Sequence, residues 1–238
     1  MKRDLIIADE FYDDPDAVVR HAHSLEYVYP YWPDRQWEAS RFRSAKDCPF
    51  KSSEALIAKL EWLTGERVDR AHWDLDFPLD ERGYLRPDYQ SHERSCLWNC
   101  CFHAKYHRGQ RLGEGVHNHV VDGWNSVGED GWTGLVYLNP DADKQSGLRT
   151  WQNRDRSHNY DWMTGPENWI LVDTLAAVYN RLVLHRGNIP HSGTAGWGHD
   201  VRSGRLYQTF FFKTTAVARV PTLALGVDLA IGRGGPGE

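Results

Sequence analysis

The feature that most constrains this chain is a change of period. Up to about residue 65 the apolar side chains recur at three-to-four spacing, and beyond it they alternate. Ser52 to Leu63 sets Leu56, Ile57, Leu60 and Leu63 on one side of a predicted helix. Asp14-Pro15-Asp16 starts another, running to about Leu25 with Val18, Val19, Ala22 and Leu25 together. The strand-like segments that follow are Val68–Phe77, Ser95–Tyr106, Trp132–Asn139, Trp169–Tyr179, Arg181–His185 and Arg205–Lys213, bounded by Gly, Asn, Asp and Pro. Within Ser95–Tyr106 the alternation puts Cys96, Trp98, Cys100, Phe102, Ala104 and Tyr106 on one face. A short buried strand is expected at residues 4–8. The pattern predicts a mainly β fold, a barrel or jelly-roll, with the N-terminal helices packed outside. The 238 residues suit one domain: a helical part over about 1–65, a β core over about 66–215 and a loose tail over 226–238.

Composition removes several function classes. A net charge of −5 offers no basic face to nucleic acid. No apolar run approaches the roughly 20 residues that cross a bilayer, and the Met1-Lys2-Arg3 start has no apolar signal core behind it. The expected setting is therefore cytoplasmic, with Cys48, Cys96, Cys100 and Cys101 as reduced thiols. Their spacing makes no zinc knuckle. Nothing in the sequence sets an oligomeric state.

Three segments carry chemistry: His117-Asn118-His119, followed at a distance of three residues by Asp122; His191 after Pro190; and Arg205, which opens an aromatic strand. Residues i and i+2 of an extended segment point the same way, so His117 and His119 can reach one ion. Imidazole suits Fe(II), Zn, Cu and Ni. His191, just beyond a strand, supplies a third donor and leaves coordination positions open. Arg205 and Tyr207 share a strand face, and a buried Arg needs a partner such as a carboxylate, which it can grip with two parallel hydrogen bonds.

The order of these segments resembles the iron(II)/2-oxoglutarate-dependent dioxygenases, whose signature is His-x-Asp, a distal His and a later Arg. Thr133-Gly134-Leu135-Val136-Tyr137-Leu138-Asn139, followed by Gly147-Leu148-Arg149-Thr150-Trp151, is similar to a strand pair of the prolyl-hydroxylase-like members. Ile6 to Ala22, with Asp13-Asp14-Pro15-Asp16, resembles the helical start of a bacterial subgroup. Residues 95–213 carry most of the resemblance.

The resemblance implies a double-stranded β-helix (jelly-roll, cupin-like) holding Fe(II), with 2-oxoglutarate and O2 as co-substrates and a small organic molecule as substrate. Oxidative decarboxylation to succinate and CO2 would be coupled to oxidation, in the first instance hydroxylation, of that substrate. Arg205 would fix the co-substrate's C5 carboxylate, with Tyr137 and Tyr207 beside it. The sequence departs from the pattern at the carboxylate, where His119 stands. Either His117, His119 and His191 hold the metal, or the chain bulges and Asp122 supplies a carboxylate. Family halogenases have a small residue at that place, whereas His119 is itself a donor. Two rival functions stand beside this one: a three-histidine cupin-like dioxygenase that needs no 2-oxoglutarate, and a non-enzymatic β-barrel binding module. His103, His107, His158, His185 and His199 belong to no such pattern and are expected to be structural or exposed.

Overall fold

The computed structural model describes residues 4–29, 41–44, 49–75, 98–106, 115–120, 126–155 and 165–217, with single positions at 80, 82, 84, 86 and 112. The elements in chain order are β1 (Leu5–Ala8), α1 (Pro15–Ser24), β2 (Tyr27–Val28), β3 (Arg41–Ser44), α2 (Glu54–Thr64), β4 (Glu66–Val68), α3 (Arg70–Trp73), β5 (Phe102–Lys105), β6 (Trp132–Tyr137), β7 (Leu148–Asn153), β8 (Trp169–Leu175), β9 (Leu182–Arg186), β10 (His191–Gly193), β11 (Arg205–Phe212) and β12 (Thr214–Val217).

The helices start where their capping residues say they should. Asp14 accepts a hydrogen bond from the Ala17 amide at 2.8 Å, and Pro15 occupies the first turn. Ser53 accepts from the Leu56 amide at 3.2 Å, and Gly65 at φ 71° closes α2 in the left-handed region. The predicted apolar face of α2, Leu56, Ile57, Leu60 and Leu63, is buried.

Seven strands form one antiparallel sheet in the order β1-β9-β6-β11-β5-β3-β2, and three form a second in the order β10-β7-β8. From β6 onward the chain passes back and forth between them: β6 in the large sheet, β7 and β8 in the small, β9 in the large, β10 in the small, β11 in the large. This is the winding of a double-stranded β-helix, as the sequence resemblance implied.

Alternation along β11 separates two cores. Leu206, Phe210 and Phe212 pack with Val18, Ala22, Leu56 and Leu60 of the helices. Tyr207 faces the opposite way and packs with Tyr137 and Val183 of the large sheet and Leu148 and Leu175 of the small one. The second cluster lies between the sheets, and the helices cover the large sheet from outside. No helix among the described residues is long and apolar enough to cross a membrane.

Four local expectations need correction. Val68–Phe77 is not one strand: Val68 ends β4, and Asp69 caps the helical turn α3 by accepting from the His72 amide at 3.3 Å. The alternation over Ser95–Tyr106 is broken inside the segment, since Cys100 takes φ 64° and, of the described residues 98–106, Phe102–Lys105 pair as a strand. β1 is an edge strand rather than a buried one, with Ile6 covered but Leu5 and Ile7 exposed. His191 lies not beyond a strand but at the start of β10.

A half-buried ion network ties β4, β6, β9 and β12 together. Arg186, 3.9 Å above the Trp132 ring, holds Glu66 at 2.6 and 3.0 Å. Trp132 Nε1 and Thr214 Oγ1 donate to the same carboxylate at 3.0 and 2.7 Å. Burial alone would raise the Glu66 pKa, but these donors lower it from 4.5 to about 2. A carboxyl with a depressed folded pKa contributes stability that is present above 4.5 and is lost as pH falls toward 2. The thermal midpoint of the wild type is therefore expected to drop more steeply across that window than that of Glu66→Gln. Parallel curves would mean that Glu66 contributes nothing there.

Candidate metal centre

Backbone pairing builds this site before any side chain is considered. The His117 amide donates to His191 O at 3.0 Å, and the His191 amide donates back to His117 O at 2.8 Å. Two residues on, the His119 amide donates to Gly187 O at 2.8 Å. Residues 117–119 thus lie extended and antiparallel to the chain entering β10, so His117 and His119 share one side. Close approach requires Gly187, where a Cβ would stand 2.0 Å from Gly128 O. Behind the segment, Val116, Trp151 and Trp169 form a small apolar cluster, and Trp151 Nε1 donates to Ser192 Oγ at 2.8 Å.

The three imidazoles converge. Ring centroids are 4.5 Å apart for His117 and His191, 5.0 Å for His119 and His191, and 5.0 Å for His117 and His119. One donor nitrogen from each lies within 4.8 Å of the other two. His117 Nδ1 contacts Gly115 O at 2.9 Å and His191 Nδ1 contacts Ile189 O at 3.0 Å. A carbonyl oxygen only accepts, so each Nδ1 carries the proton and each Nε2 keeps its lone pair. His119 and His191 are buried and His117 is partly exposed. Burial, then the neighbouring His185, His117 and His119, push the His191 pKa well below its ordinary value. His191 is neutral at neutral pH, the form that ligates metal.

On the face of β11 that carries Tyr207 stands Arg205, 2% exposed. Its Nη1 donates to Thr194 O at 3.0 Å, while Nε and Nη2 have no partner. No acidic side chain among the described residues pairs with it. Its pKa is lowered chiefly by burial, a sign that the cation has lost its water without gaining an anion. Gly193 leaves the space beside it open, since a Cβ there would sit 3.3 Å from Nη1. His191 and Gly193 are two residues apart on β10, so the guanidinium beside Gly193 lies on the same face of that strand as the His191 ring, about 7 Å along it.

Tyr207 lies opposite Tyr137 on one side and His103 on the other. Its ring is parallel to that of His103 at 5.2 Å, and Arg205 stands 5.2 Å from its centroid. The Tyr137 hydroxyl accepts from the Leu148 amide at 2.7 Å and donates to Leu175 O at 3.4 Å, clamping the large sheet to the small one. Asp122 lies outside the described residues, as do His107, His158, Cys48 and Cys96. His199 is exposed, as expected. His185, expected to be structural or exposed, is fully buried, and its ring is 4.2 Å from that of His191.

No protein-family model matches the sequence, and no curated protein matches it. Among solved structures the fold is similar to that of the epimerase SnoN in complex with Fe3+, alpha ketoglutarate and nogalamycin RO, with a TM-score of 0.50 and 11% identity over 89% of this chain and 79% of that one. HygX from Streptomyces hygroscopicus, with nickel, 2-oxoglutarate and hygromycin B bound, aligns with a TM-score of 0.45 and 13% identity over 90% and 84% of the two chains. A prolyl hydroxylase from Trichoplax adhaerens, in complex with a hypoxia inducible factor peptide fragment, gives 0.41 and 13% over 87% and 82%. At these identities the likeness to SnoN is a likeness of fold, and it agrees with the winding of the two sheets.

Proposed function

We propose that this chain is a non-haem iron oxygenase that couples oxidative decarboxylation of 2-oxoglutarate, to succinate and CO2, with oxidation of a small organic substrate. One observation carries the reading. Three imidazole donors converge where β10 begins, and an arginine with two unpartnered nitrogens is buried beside Gly193 of the same strand. The donor set fits a divalent transition metal. The unpartnered guanidinium nitrogens fit a carboxylate, which removes the cost of a buried lone charge. A dicarboxylate whose far end ligates the metal would serve both groups. SnoN, of similar fold, was solved with iron, alpha ketoglutarate and a small molecule, which suits the same assignment.

In this reading His117, His119 and His191 hold the metal through Nε2, and the Gly115 and Ile189 carbonyls fix the rings in that tautomer. Arg205 anchors the C5 carboxylate. Tyr207 and the Tyr137 ring form the wall beside it, together with Leu135, Leu148 and Val183 of the inner cluster, and keep water out. When bound, Fe(II) supplies the redox chemistry with O2 and 2-oxoglutarate that the side chains themselves lack. His119 is favoured over Asp122 as the third donor because it already stands with the other two.

A three-histidine dioxygenase that uses no 2-oxoglutarate would have no use for Arg205. An anaerobic titration separates the possibilities. The protein with Fe(II) should develop a visible charge-transfer absorption on addition of 2-oxoglutarate, saturating at one equivalent. Binding of Fe(II) with no response to 2-oxoglutarate would favour the cupin-like alternative. Failure to bind Fe(II) would favour a non-enzymatic binding module.

A further inference from the structure

A fourth imidazole belongs to this site. His185 lies on β9 opposite Thr133 of β6, and Thr133 lies opposite Phe211 of β11. Residues paired directly across strands project to the same face. The Phe211 ring packs against His119 at 5.2 Å, which identifies that face as the one turned toward the three histidines. The His185 ring is accordingly 4.2 Å from His191, closer than His191 is to either of the other two.

Its hydrogen bonding is asymmetric. Nδ1 contacts Arg186 O at 2.9 Å, so Nδ1 carries the proton and Nε2 carries a lone pair. Nε2 is buried and has no partner, on a side chain that is 0% exposed. A buried acceptor left unsatisfied is destabilising, and natural structures keep few of them. Nor is His185 simply another ligand: among the described residues the donors lying within 4.8 Å of one another are those of His117, His119 and His191.

We infer that His185 Nε2 is a hydrogen-bond acceptor for a protic ligand, a water or a hydroxyl-bearing molecule, held at the open side of the three-histidine metal centre. The inference rests on the metal reading above and deepens it. His185 is then a positioning residue: it fixes which way the O–H of that ligand points, and the bound metal and its ligand in turn satisfy Nε2. The chemistry it selects is a neutral group with a proton to donate, in contrast to the carboxylate selected by Arg205.

Co(II) is a suitable probe because its visible spectrum reports coordination. The purified chain, His185→Phe and His185→Gln are titrated anaerobically with Co(II), and their metal-free circular dichroism is compared. The phenyl ring fills the space but accepts nothing, so Co(II) affinity should fall about 10- to 100-fold, the usual effect of losing a partner beyond the ligands. The visible bands should change in position and intensity. The glutamine carbonyl accepts a hydrogen bond and should recover part of the affinity and the wild-type bands. If His185→Phe does not fold, His185→Leu takes its place. Wild-type affinity and spectrum in the apolar variant would overturn the inference and leave the metal centre standing, as would a glutamine variant no better than the apolar one. A wild type that binds no Co(II) would overturn the metal centre and the inference together.

Discussion

His191→Ala is expected to leave the protein folded and unable to retain Fe(II). His191 is the member of the cluster whose ring meets all the others, at 4.5 Å from His117, 5.0 Å from His119 and 4.2 Å from His185. Its side chain can be removed without touching the pairing that builds the site, because the His117–His191 hydrogen bonds run between backbone atoms. Loss of the imidazole leaves a small cavity beside residues that remain packed, a destabilisation of about 1–3 kcal/mol. Loss of one of three donors should weaken metal binding by far more than the about 10- to 100-fold change typical of an outer partner. Iron content after anaerobic desalting and a calorimetric titration measure this, with thermal unfolding of the metal-free protein as the control. Full iron occupancy in the variant would remove His191 from the ligand set.

Arg205 gives the second large effect, and here stability and binding are expected to move in opposite directions. Arg205→Met keeps much of the volume and removes a buried cation whose Nε and Nη2 meet no acceptor. The one carbonyl it does satisfy, Thr194 O, keeps a donor, since Lys105 Nζ reaches it at 2.6 Å. Replacing buried charge with apolar volume is often neutral or stabilising, so the metal-free variant should unfold at an equal or higher temperature. Its affinity for 2-oxoglutarate should fall by roughly 2–5 kcal/mol, or from about 30-fold to several thousand-fold. Arg205→Lys keeps the charge but not the planar fork and should recover only part of that loss. Equal 2-oxoglutarate affinity in all three proteins, with iron bound in each, would detach Arg205 from the co-substrate.

The parts of this architecture legible in the sequence were those with a strong local period. The α2 face, the Asp14-Pro15 start and the β6, β8, β9 and β11 segments were placed within a few residues. The i, i+2 relation of His117 and His119 was likewise readable, because it needs only an extended backbone. What escaped were features set by tertiary pairing. Arg41–Ser44 and His191–Gly193 are strands of four and three residues, too short to show alternation. Asp69-Arg70-Ala71-His72 has a cap and no apolar run, so its helical turn was absorbed into a strand. His185 was set aside for want of a motif, yet β9 carries it two residues after Val183, on the face that lines the inner cluster. Strand parity was the signal that would have found it. The role of the Tyr137 hydroxyl depends on amide and carbonyl groups 11 and 38 residues away, which no local pattern reveals.

The strand order also has a consequence for how the chain comes off the ribosome. β5 and β6, complete by residue 137, are not neighbours: β11 separates them, and it is not finished until residue 212. β1 pairs with β9 at Leu5↔His185 and so waits for a partner made 180 residues later. His117 and His119 wait for residues 187–191 in the same way. β1, β4 and β6 are therefore synthesised long before any partner, and such non-local pairing is slow and exposed to misassociation. Closure of the large sheet, completion of the imidazole cluster and arrival of Arg205 all await synthesis of residues 182–212. A nascent chain stopped before residue 205 holds all three histidines but lacks both the central strand and the cation, so if Arg205 anchors the co-substrate, that capacity is acquired only as the sheet closes.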